Sequence, residues 1–256
     1  MEWTDRQELR RAKTLLEHPG LAMRIANTVG VPVEKVFAVL PAGAAGAIQR
    51  ATTTSLSRAL AVVTSRMDDA PRASAEWAHR ISVAASGAVG GAFGLAALAV
   101  ELPVSTTIML RSIADIARSE GHSIKSPQVR LACLEVFALG GPGRADNAAE
   151  SGYFAVRAAL ARAVGEAAEY LATRGLADGA PALVGLVTKI ATRFGVPVTE
   201  KVLAQSVPII GAAGGAMINV LFINHFNDVA RGHFIVLRLE EKYGAGAVRN
   251  AYAALA

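Results

Sequence analysis

The stretch VPIIGAAGGAMINVLFINHFNDVARGHFIVLRLEEKYG, residues 207–244, decides the fold class of this chain. Its apolar residues recur every three to four positions, which is the spacing of one face of an α-helix. Proline suits the first turn of a helix and glycine its end. The sequence therefore predicts one long helix from Pro208 to about Tyr243.

Helix signals of the same kind run through the rest of the chain, whereas strand signals are nearly absent. The segment Glu101-Leu-Pro103 is predicted to interrupt a helix over about 74–99, because proline lacks the N–H donor and restricts the residue before it. Two separate helices are likewise predicted for 181–194 and 198–205, and one for 127–139. The predicted fold is all-α, a multi-helix bundle with an internal duplication.

The duplication is indicated by two blocks that recur in the same order. Residues 20–33 read GLAMRIANTVGVPV and residues 185–198 read GLVTKIATRFGVPV, with eight identical positions. Residues 87–92 read GAVGGA and residues 211–216 read GAAGGA. A recurring block is the sequence signature of a repeated structural unit. We predict a single domain over 1–256, with repeats at about 20–121 and 185–244 and connecting helices over 122–184.

Glycines in the second pair of blocks fall on one helix face. A glycine costs about 1 kcal/mol relative to alanine inside a helix, and close approach of a neighbouring helix usually offsets that cost. Helix packing is therefore the predicted role of Gly87, Gly90, Gly91, Gly94, Gly211, Gly214 and Gly215.

The same glycine-rich regions lack charge over lengths that matter for membranes. Twenty residues separate Arg80 from Glu101 and twenty-three separate Lys201 from His225 without a charged residue. About twenty apolar residues can cross a bilayer. Both runs are rich in Ala and Gly and poor in Leu, so two interpretations stay open: insertion into lipid, or a helix pair buried in a soluble core.

Composition narrows the function classes. Hydrophobic residues make up 52% of the chain and charged residues 18%, with a formal net charge of +5. Aromatic residues are only 5% and the basic residues are scattered, which disfavours nucleic acid as a partner. The single cysteine, Cys133, excludes an internal disulfide. The N-terminal residues are charged and carry no export signal, so a cytoplasmic location is predicted, and no cofactor or metal is predicted.

A few polar residues stand out as candidate binding residues. His225 and Asp228 share a helix face and His233 follows on the same helix, an arrangement that could orient a histidine for metal or proton chemistry. Glu101 is the only charge between Arg80 and Arg111. A helix face that carries Arg111, Asp115 and Arg118 could bind an anion. For each the alternative is an ordinary polar helix surface. The predicted binding candidates are Glu101, Arg111, Asp115, Asn219, His225, Asp228 and His233.

Three segments resemble the EcsC family: ELPVSTTIMLRSIADIARSEG (101–121), LACLEVFALGG (131–141) and the 207–244 stretch. The resemblance extends over most of the chain. EcsC is encoded beside the ATPase and permease of a bacterial ABC transporter, so the resemblance implies a bacterial, helical and membrane-associated protein. It supplies no catalytic residues. The positions that match its most recognisable patterns are Glu101, Pro103, Arg111, Asp115, Gly121, Gly211, Gly215, Asn219, His225, Arg231, His233 and Phe234.

These observations favour a non-enzymatic helical protein that associates with a membrane and binds lipid or an integral partner such as an ABC transporter. Such a protein would lie on the inner face of the cell membrane. The alternative is a hydrolytic or metal-dependent enzyme with a site near His225, Asp228 and His233. A second alternative is a soluble structural or regulatory subunit.

Overall fold

The computed structural model of the protein describes residues 1–17, 21, 24–25, 44–65, 95–141, 152–174, 180–205 and 211–255. All regular structure within these ranges is helical, which confirms the predicted all-α bundle. The eight described helices are α1 (Trp3–Leu16), α2 (Ala44–Ser65), α3 (Leu95–Ser119), α4 (Pro127–Leu139), α5 (Gly152–Arg174), α6 (Pro181–Gln205), α7 (Gly211–Tyr243) and α8 (Ala245–Ala253).

Helix α7 is the central element of the bundle. Its 33 residues make a rod about 50 Å long at 1.5 Å per residue. It packs against α1, α3, α4, α6 and α8. Phe222, Phe226 and Phe234 of α7 are fully buried, so this one helix contributes large apolar side chains to the core over several turns.

Helix α4 lies in the middle of the main core. Residues 131–138 are all buried, on every side of the helix, as expected for a helical segment that is apolar on all faces apart from one residue, Glu135. The ring of Phe137 lies 4.8 Å from that of Phe194 on α6, between ring centroids. Phe194 in turn lies 5.4 Å from Phe226 on α7. These aromatic contacts join α4, α6 and α7.

Two predicted helix interruptions are wrong. Helix α3 runs through Pro103, and α6 runs through Pro197. A proline removes one backbone hydrogen bond inside a helix, but tertiary packing compensates here. Leu102 beside Pro103, and Phe194 and Val198 on either side of Pro197, are fully buried in the main core. Burial of these neighbouring side chains keeps each helix continuous across its proline.

Helix α1 ties the two ends of the described chain together. Leu9 and Ala12 form a second apolar cluster with residues of α7 and α8, including the fully buried Tyr252. Asp5 accepts hydrogen bonds from the Lys242 ammonium at 2.8 Å and the Tyr243 hydroxyl at 2.6 Å. Lys13 donates to the Leu255 carbonyl at the end of α8. Residues from both ends of the sequence thus share one end of α7.

The close approach of α1 to α7 depends on Gly232. A Cβ atom at this position would lie 2.7 Å from Leu16 Cγ and 3.0 Å from the Ala12 carbonyl oxygen. We expect Gly232→Ala to lower the free energy of unfolding by about 1–2 kcal/mol, because the overpacking cost exceeds the helix-propensity gain. Urea unfolding followed by far-UV circular dichroism measures the difference.

Gly165 on α5 provides the matched control, because a Cβ there would meet nothing within 4 Å. Gly165→Ala is expected to raise the free energy of unfolding by about 0.5–1 kcal/mol through helix propensity alone. Equal changes for the two substitutions would contradict the proposed contact at Gly232.

The glycine-rich blocks are described only in part. Gly87, Gly90, Gly91 and Gly94 lie outside the described residues, as does about half of the first repeat, so the duplication stays a prediction. Gly211, Gly214 and Gly215 lie within α7, and Gly215 is buried. Two equivalent pairs of the repeat can be compared, and all four residues are buried in the main core: Leu21 with Leu186, and Ile25 with Ile190.

Candidate functional site

A buried ion pair joins three helices near the start of α7. The Lys201 ammonium on α6 donates to Glu101 Oε1 on α3 at 2.6 Å. The Asn219 side-chain amide on α7 donates to the same oxygen at 3.1 Å. The Lys201 side chain is 0% exposed and that of Glu101 is 6% exposed. We call these three residues the ion-pair cluster.

The surroundings of Lys201 are apolar on one side and polar on the other. Its ammonium lies 5.0 Å from the centroid of the Phe222 ring, an attractive cation–π geometry. Burial lowers the pKa of Lys201, against the opposing effect of the Glu101 carboxylate. One turn further along α6, the buried Nε2 of Gln205 has no hydrogen-bond partner among the residues that the structure describes. The region therefore holds both an internal charge pair and unused hydrogen-bonding capacity.

The chemistry open to this cluster is that of a fixed charge pair. A lysine of lowered pKa can act as a nucleophile, but the Lys201 ammonium is enclosed and bound to Glu101. Removing two charges from water is costly, and the pair offsets that cost only if both partners stay together. The cluster therefore holds α3, α6 and α7 in one arrangement.

His225 serves a different part of the core. Its Nε2 lies 2.7 Å from the Gly140 carbonyl oxygen, just after α4 ends. The Arg193 guanidinium donates to the Ala138 carbonyl at 3.0 Å. The last carbonyls of a helix have no partner within it, and cationic or polar side chains commonly satisfy them. His225 and Arg193 together cap the C-terminal end of α4.

The other charged candidates lie nearer the surface. Asp228 accepts from Arg24 at 3.0 Å, and both side chains are partly exposed. Asp115 pairs with Arg118 one turn further along α3. Arg111 is exposed. The predicted trio on α3 thus contains a side-chain ion pair and an exposed arginine.

His233 belongs to a second buried network. The Tyr153 hydroxyl on α5 lies 2.8 Å from His233 Nδ1. Arg157, one turn after Tyr153, donates to the Tyr153 hydroxyl at 3.3 Å and to both carboxylate oxygens of Glu240 at 2.9 Å. Glu135 of α4 lies 3.9 Å from His233 Nε2, measured to Oε2. We call these five residues the histidine network.

Burial shifts the acid–base properties of the histidine network. It raises the pKa of the Glu135 carboxyl to about 7, against the opposing charge of Arg157. Burial and then the charge of Arg157 lower the pKa of His233 well below its ordinary value. Burial also raises the pKa of the Tyr153 hydroxyl. At neutral pH the histidine is therefore uncharged, and the carboxyl is close to its titration midpoint.

Metal binding has no support in the part of the chain that the structure describes. No group of three or more His, Cys, Asp or Glu side chains there is placed to hold a metal ion. His225, Asp228 and His233 each contact a different partner. Burial raises the pKa of the Cys133 thiol to about 12, so this thiol stays protonated and unreactive.

The family model of the EcsC protein family matches residues 4–239 of the 256. The chain belongs to the EcsC protein family. No curated protein and no solved structure matches it significantly. Membership agrees with the resemblance carried by the segments 101–121, 131–141 and 207–244.

Several EcsC-like positions have structural partners. Glu101 and Asn219 meet in the ion-pair cluster, and His233 lies in the histidine network. Arg231 pairs with Glu120 at 3.3 Å. Gly121 has a φ angle of 92°, a conformation that L side chains rarely adopt. Side-chain pairing and turn geometry therefore account for part of the EcsC-like pattern.

Five residues of these clusters escaped prediction: Glu135, Tyr153, Arg157, Lys201 and Glu240. Glu135 is the one charged residue in the segment LACLEVFALGG, a signal that could have identified it. Lys201 continues the apolar helix spacing of Phe194 and Val198, so its position on a buried face was also detectable. Tyr153 carries no such signal, because its partner lies 80 residues away.

Proposed function

We propose that this EcsC protein is a non-enzymatic helical protein that associates peripherally with the inner face of the cell membrane by contacting lipid. The observation that carries the proposal concerns α6. Among the described helices, α6 alone is long and apolar enough to cross a bilayer, judged by length and composition. Yet only 44% of its most apolar window is buried within the protein. The rest of that window is partly or fully exposed on the protein and is available for contact with lipid.

Further support comes from exposed apolar side chains on neighbouring helices. Single exposed apolar residues are normal on soluble proteins. Here, however, five of the seven large exposed examples among the described residues lie on α3, α6 and α7: Val100, Val104, Val184, Val196 and Met217. All but Val184 lie within two helical turns of a member of the ion-pair cluster. The end of the bundle where α3, α6 and α7 meet is the proposed lipid-facing end.

The charge distribution supports the same lipid-facing end of the bundle. The chain carries a formal net charge of +5, and Arg111 is exposed on α3 beyond Val100 and Val104. Anionic lipids on the cytoplasmic leaflet attract basic residues near the surface by about 1 kcal/mol each. The enzymatic alternative has less support, because His225, Asp228 and His233 each contact a different element of the bundle.

The test is flotation of the purified full chain with vesicles of neutral phosphatidylcholine, or of phosphatidylcholine with anionic phosphatidylglycerol, at low and high salt. We expect flotation with anionic vesicles that persists in part at high salt, because apolar side chains contact the acyl chains and salt screens only the charges. The double variant Val100→Ser, Val104→Ser is expected to bind about a hundredfold more weakly, given about 1.5 kcal/mol for each of the two buried valines and tenfold per 1.4 kcal/mol.

Trp3→Ser is the matched control. Trp3 is 74% exposed and lies on α1, which contacts Lys242 at the opposite end of α7. This places it about 35 Å along α7 from Asn219. Its loss should leave flotation unchanged. Absence of flotation under every condition would overturn lipid contact, and recovery of the chain with native membranes alone would then favour an integral partner such as a transporter.

A further inference from the structure

The geometry of the histidine network fixes where His233 carries its proton. Arg157 has only donors, so the Tyr153 oxygen accepts from Arg157. Among the described residues, His233 Nδ1 is the acceptor within hydrogen-bond distance of the buried Tyr153 hydroxyl, so the O–H donates to Nδ1 and is not left unsatisfied. A neutral imidazole that accepts at Nδ1 carries its hydrogen at Nε2. His233 Nε2 is thus a donor, and it is fully buried without a hydrogen-bond partner in the described part of the chain.

The nearest acidic group to that donor is Glu135. The distance between His233 Nε2 and Glu135 Oε2 is 3.9 Å, too long for a hydrogen bond. A buried donor without a partner costs about 1–3 kcal/mol. A movement of less than 1.5 Å would satisfy it, and Glu135 and His233 lie on different helices, α4 and α7. Glu135 and His233 are therefore close enough to form a hydrogen bond between α4 and α7 after a small movement, but they do not form one at the observed distance.

We propose that Glu135 and His233 form a pH-operated latch between α4 and α7, which closes when the Glu135 carboxyl loses its proton and opens when it regains it. An ionised carboxylate accepts a hydrogen bond about twice as strongly as a neutral carboxyl group. Loss of the proton therefore draws the carboxylate onto the Nε2–H of His233. The proton leaves to solvent through the part of the Glu135 side chain that is 10% exposed.

The charges around the latch determine the pH at which it opens and closes. From α5, Arg157 favours the ionised carboxyl, but its guanidinium is paired with both oxygens of Glu240 on α7. Glu240 itself disfavours ionisation of Glu135. The charge of His122, in the turn after α3, further lowers the pKa of His233. With burial as the largest cause, the pKa of Glu135 is about 7, so the latch titrates at neutral pH.

The two members of the latch affect stability in opposite directions. The pKa of Glu135 is raised from 4.5 to about 7, so its contribution to stability is full below pH 4.5 and is lost as pH rises to 7. The pKa of His233 is lowered from 6.5, so its contribution is present above pH 6.5 and is lost as pH falls. Between pH 4.5 and 6.5 the two residues therefore change the free energy of unfolding with pH in opposite directions. Variants of one residue are needed to measure the contribution of each.

Glu135→Gln keeps the side-chain volume and removes the titration. Infrared difference spectroscopy of the wild-type chain between pH 5 and 9 should show a carbonyl band of a protonated buried carboxyl that disappears with a midpoint near 7. Glu135→Gln should lack this band. Glu166→Gln, which removes an exposed carboxyl paired with Arg162 on α5, should retain it. A midpoint near 4.5, or a band that persists in Glu135→Gln, would overturn the inference.

Closure of the latch needs a second readout. Hydrogen exchange of those α4 and α7 amides that open locally, corrected for the intrinsic pH dependence, should slow by about tenfold from pH 6 to pH 8 in the wild-type chain, as expected for one charge-assisted hydrogen bond. Amides that exchange through global unfolding should not slow, because ionisation of Glu135 lowers the free energy of unfolding over this range. Glu135→Gln should show no such change, and Glu166→Gln should behave as the wild type. Equal changes in all three chains would mean that Glu135 titrates without closing onto His233.

Discussion

Replacement of Lys201 by methionine is expected to lower the free energy of unfolding by about 3–5 kcal/mol, the cost of leaving one member of a buried ion pair without its partner. The substitution keeps an unbranched chain of similar volume, so packing against Phe222 changes little. Glu101 would keep only the hydrogen bond from Asn219. Urea unfolding at pH 7 measures the loss.

Two further variants separate the charge effect from simple loss of packing. The double variant Glu101→Leu, Lys201→Met replaces the pair by apolar side chains and is expected to lie within about 1–2 kcal/mol of the wild type, since such replacements are often neutral or stabilising. Lys189→Met removes an exposed lysine from the same helix and should change stability by less than about 0.5 kcal/mol. A double variant as unstable as Lys201→Met would show that packing rather than charge pairing decides the effect.

The contact between Gly140 and Phe226 should give the second large effect. A Cβ at Gly140 would lie 2.3 Å from Phe226 Cε1. The φ angle of Gly140 is −73°, which alanine adopts without strain, so the need for glycine here is steric. Gly140→Ala is expected to cost about 1–3 kcal/mol by overpacking. Phe226→Ala alone is expected to cost about 3–5 kcal/mol, because it removes a fully buried ring that contacts Phe194.

The double variant tests the contact itself. Once Phe226 is truncated, the added methyl at residue 140 enters space that the ring has left, so its cost should vanish. The coupling energy is then expected to be at least about 1 kcal/mol, read from the urea unfolding of all four chains. Gly185→Ala, where a Cβ meets nothing within 4 Å, should show no coupling to Phe226→Ala. Additive costs for Gly140→Ala and Phe226→Ala would exclude the contact.

Local sequence signals predicted some elements well. The helix over 127–139 has the predicted bounds, because Pro127 suits a helix start and Gly140 follows its end. The same reasoning failed at Pro103 and Pro197, where burial of neighbouring side chains in the core outweighs one lost backbone hydrogen bond. Local propensity therefore predicted the ends of the helix over 127–139 well. It failed at the two prolines, where neighbouring side chains are buried in the core.

The site residues follow a similar division. Glu101 was predicted as a candidate because it is an isolated charge, and it lies buried beside Lys201. Its partner Lys201 lies 100 residues away in the sequence, and no local pattern joins them. His225 stood out in a polar stretch of α7, yet its partner is a backbone carbonyl after α4. Side-chain type gives no signal for a contact with the backbone of a distant helix.

The contacts of α1 have a consequence for the order of events during synthesis. Asp5 bonds to Lys242, which is 237 residues further along the chain, and Lys13 bonds to Leu255, 242 residues further. Ribosomes add about 5–20 residues per second, so the first helix waits roughly 12–50 s before its partners have been made. During that interval the apolar face of α1 that carries Leu9 has nothing native to cover it. The residues of α7 and α8 must therefore be synthesised before α1 can complete its native contacts.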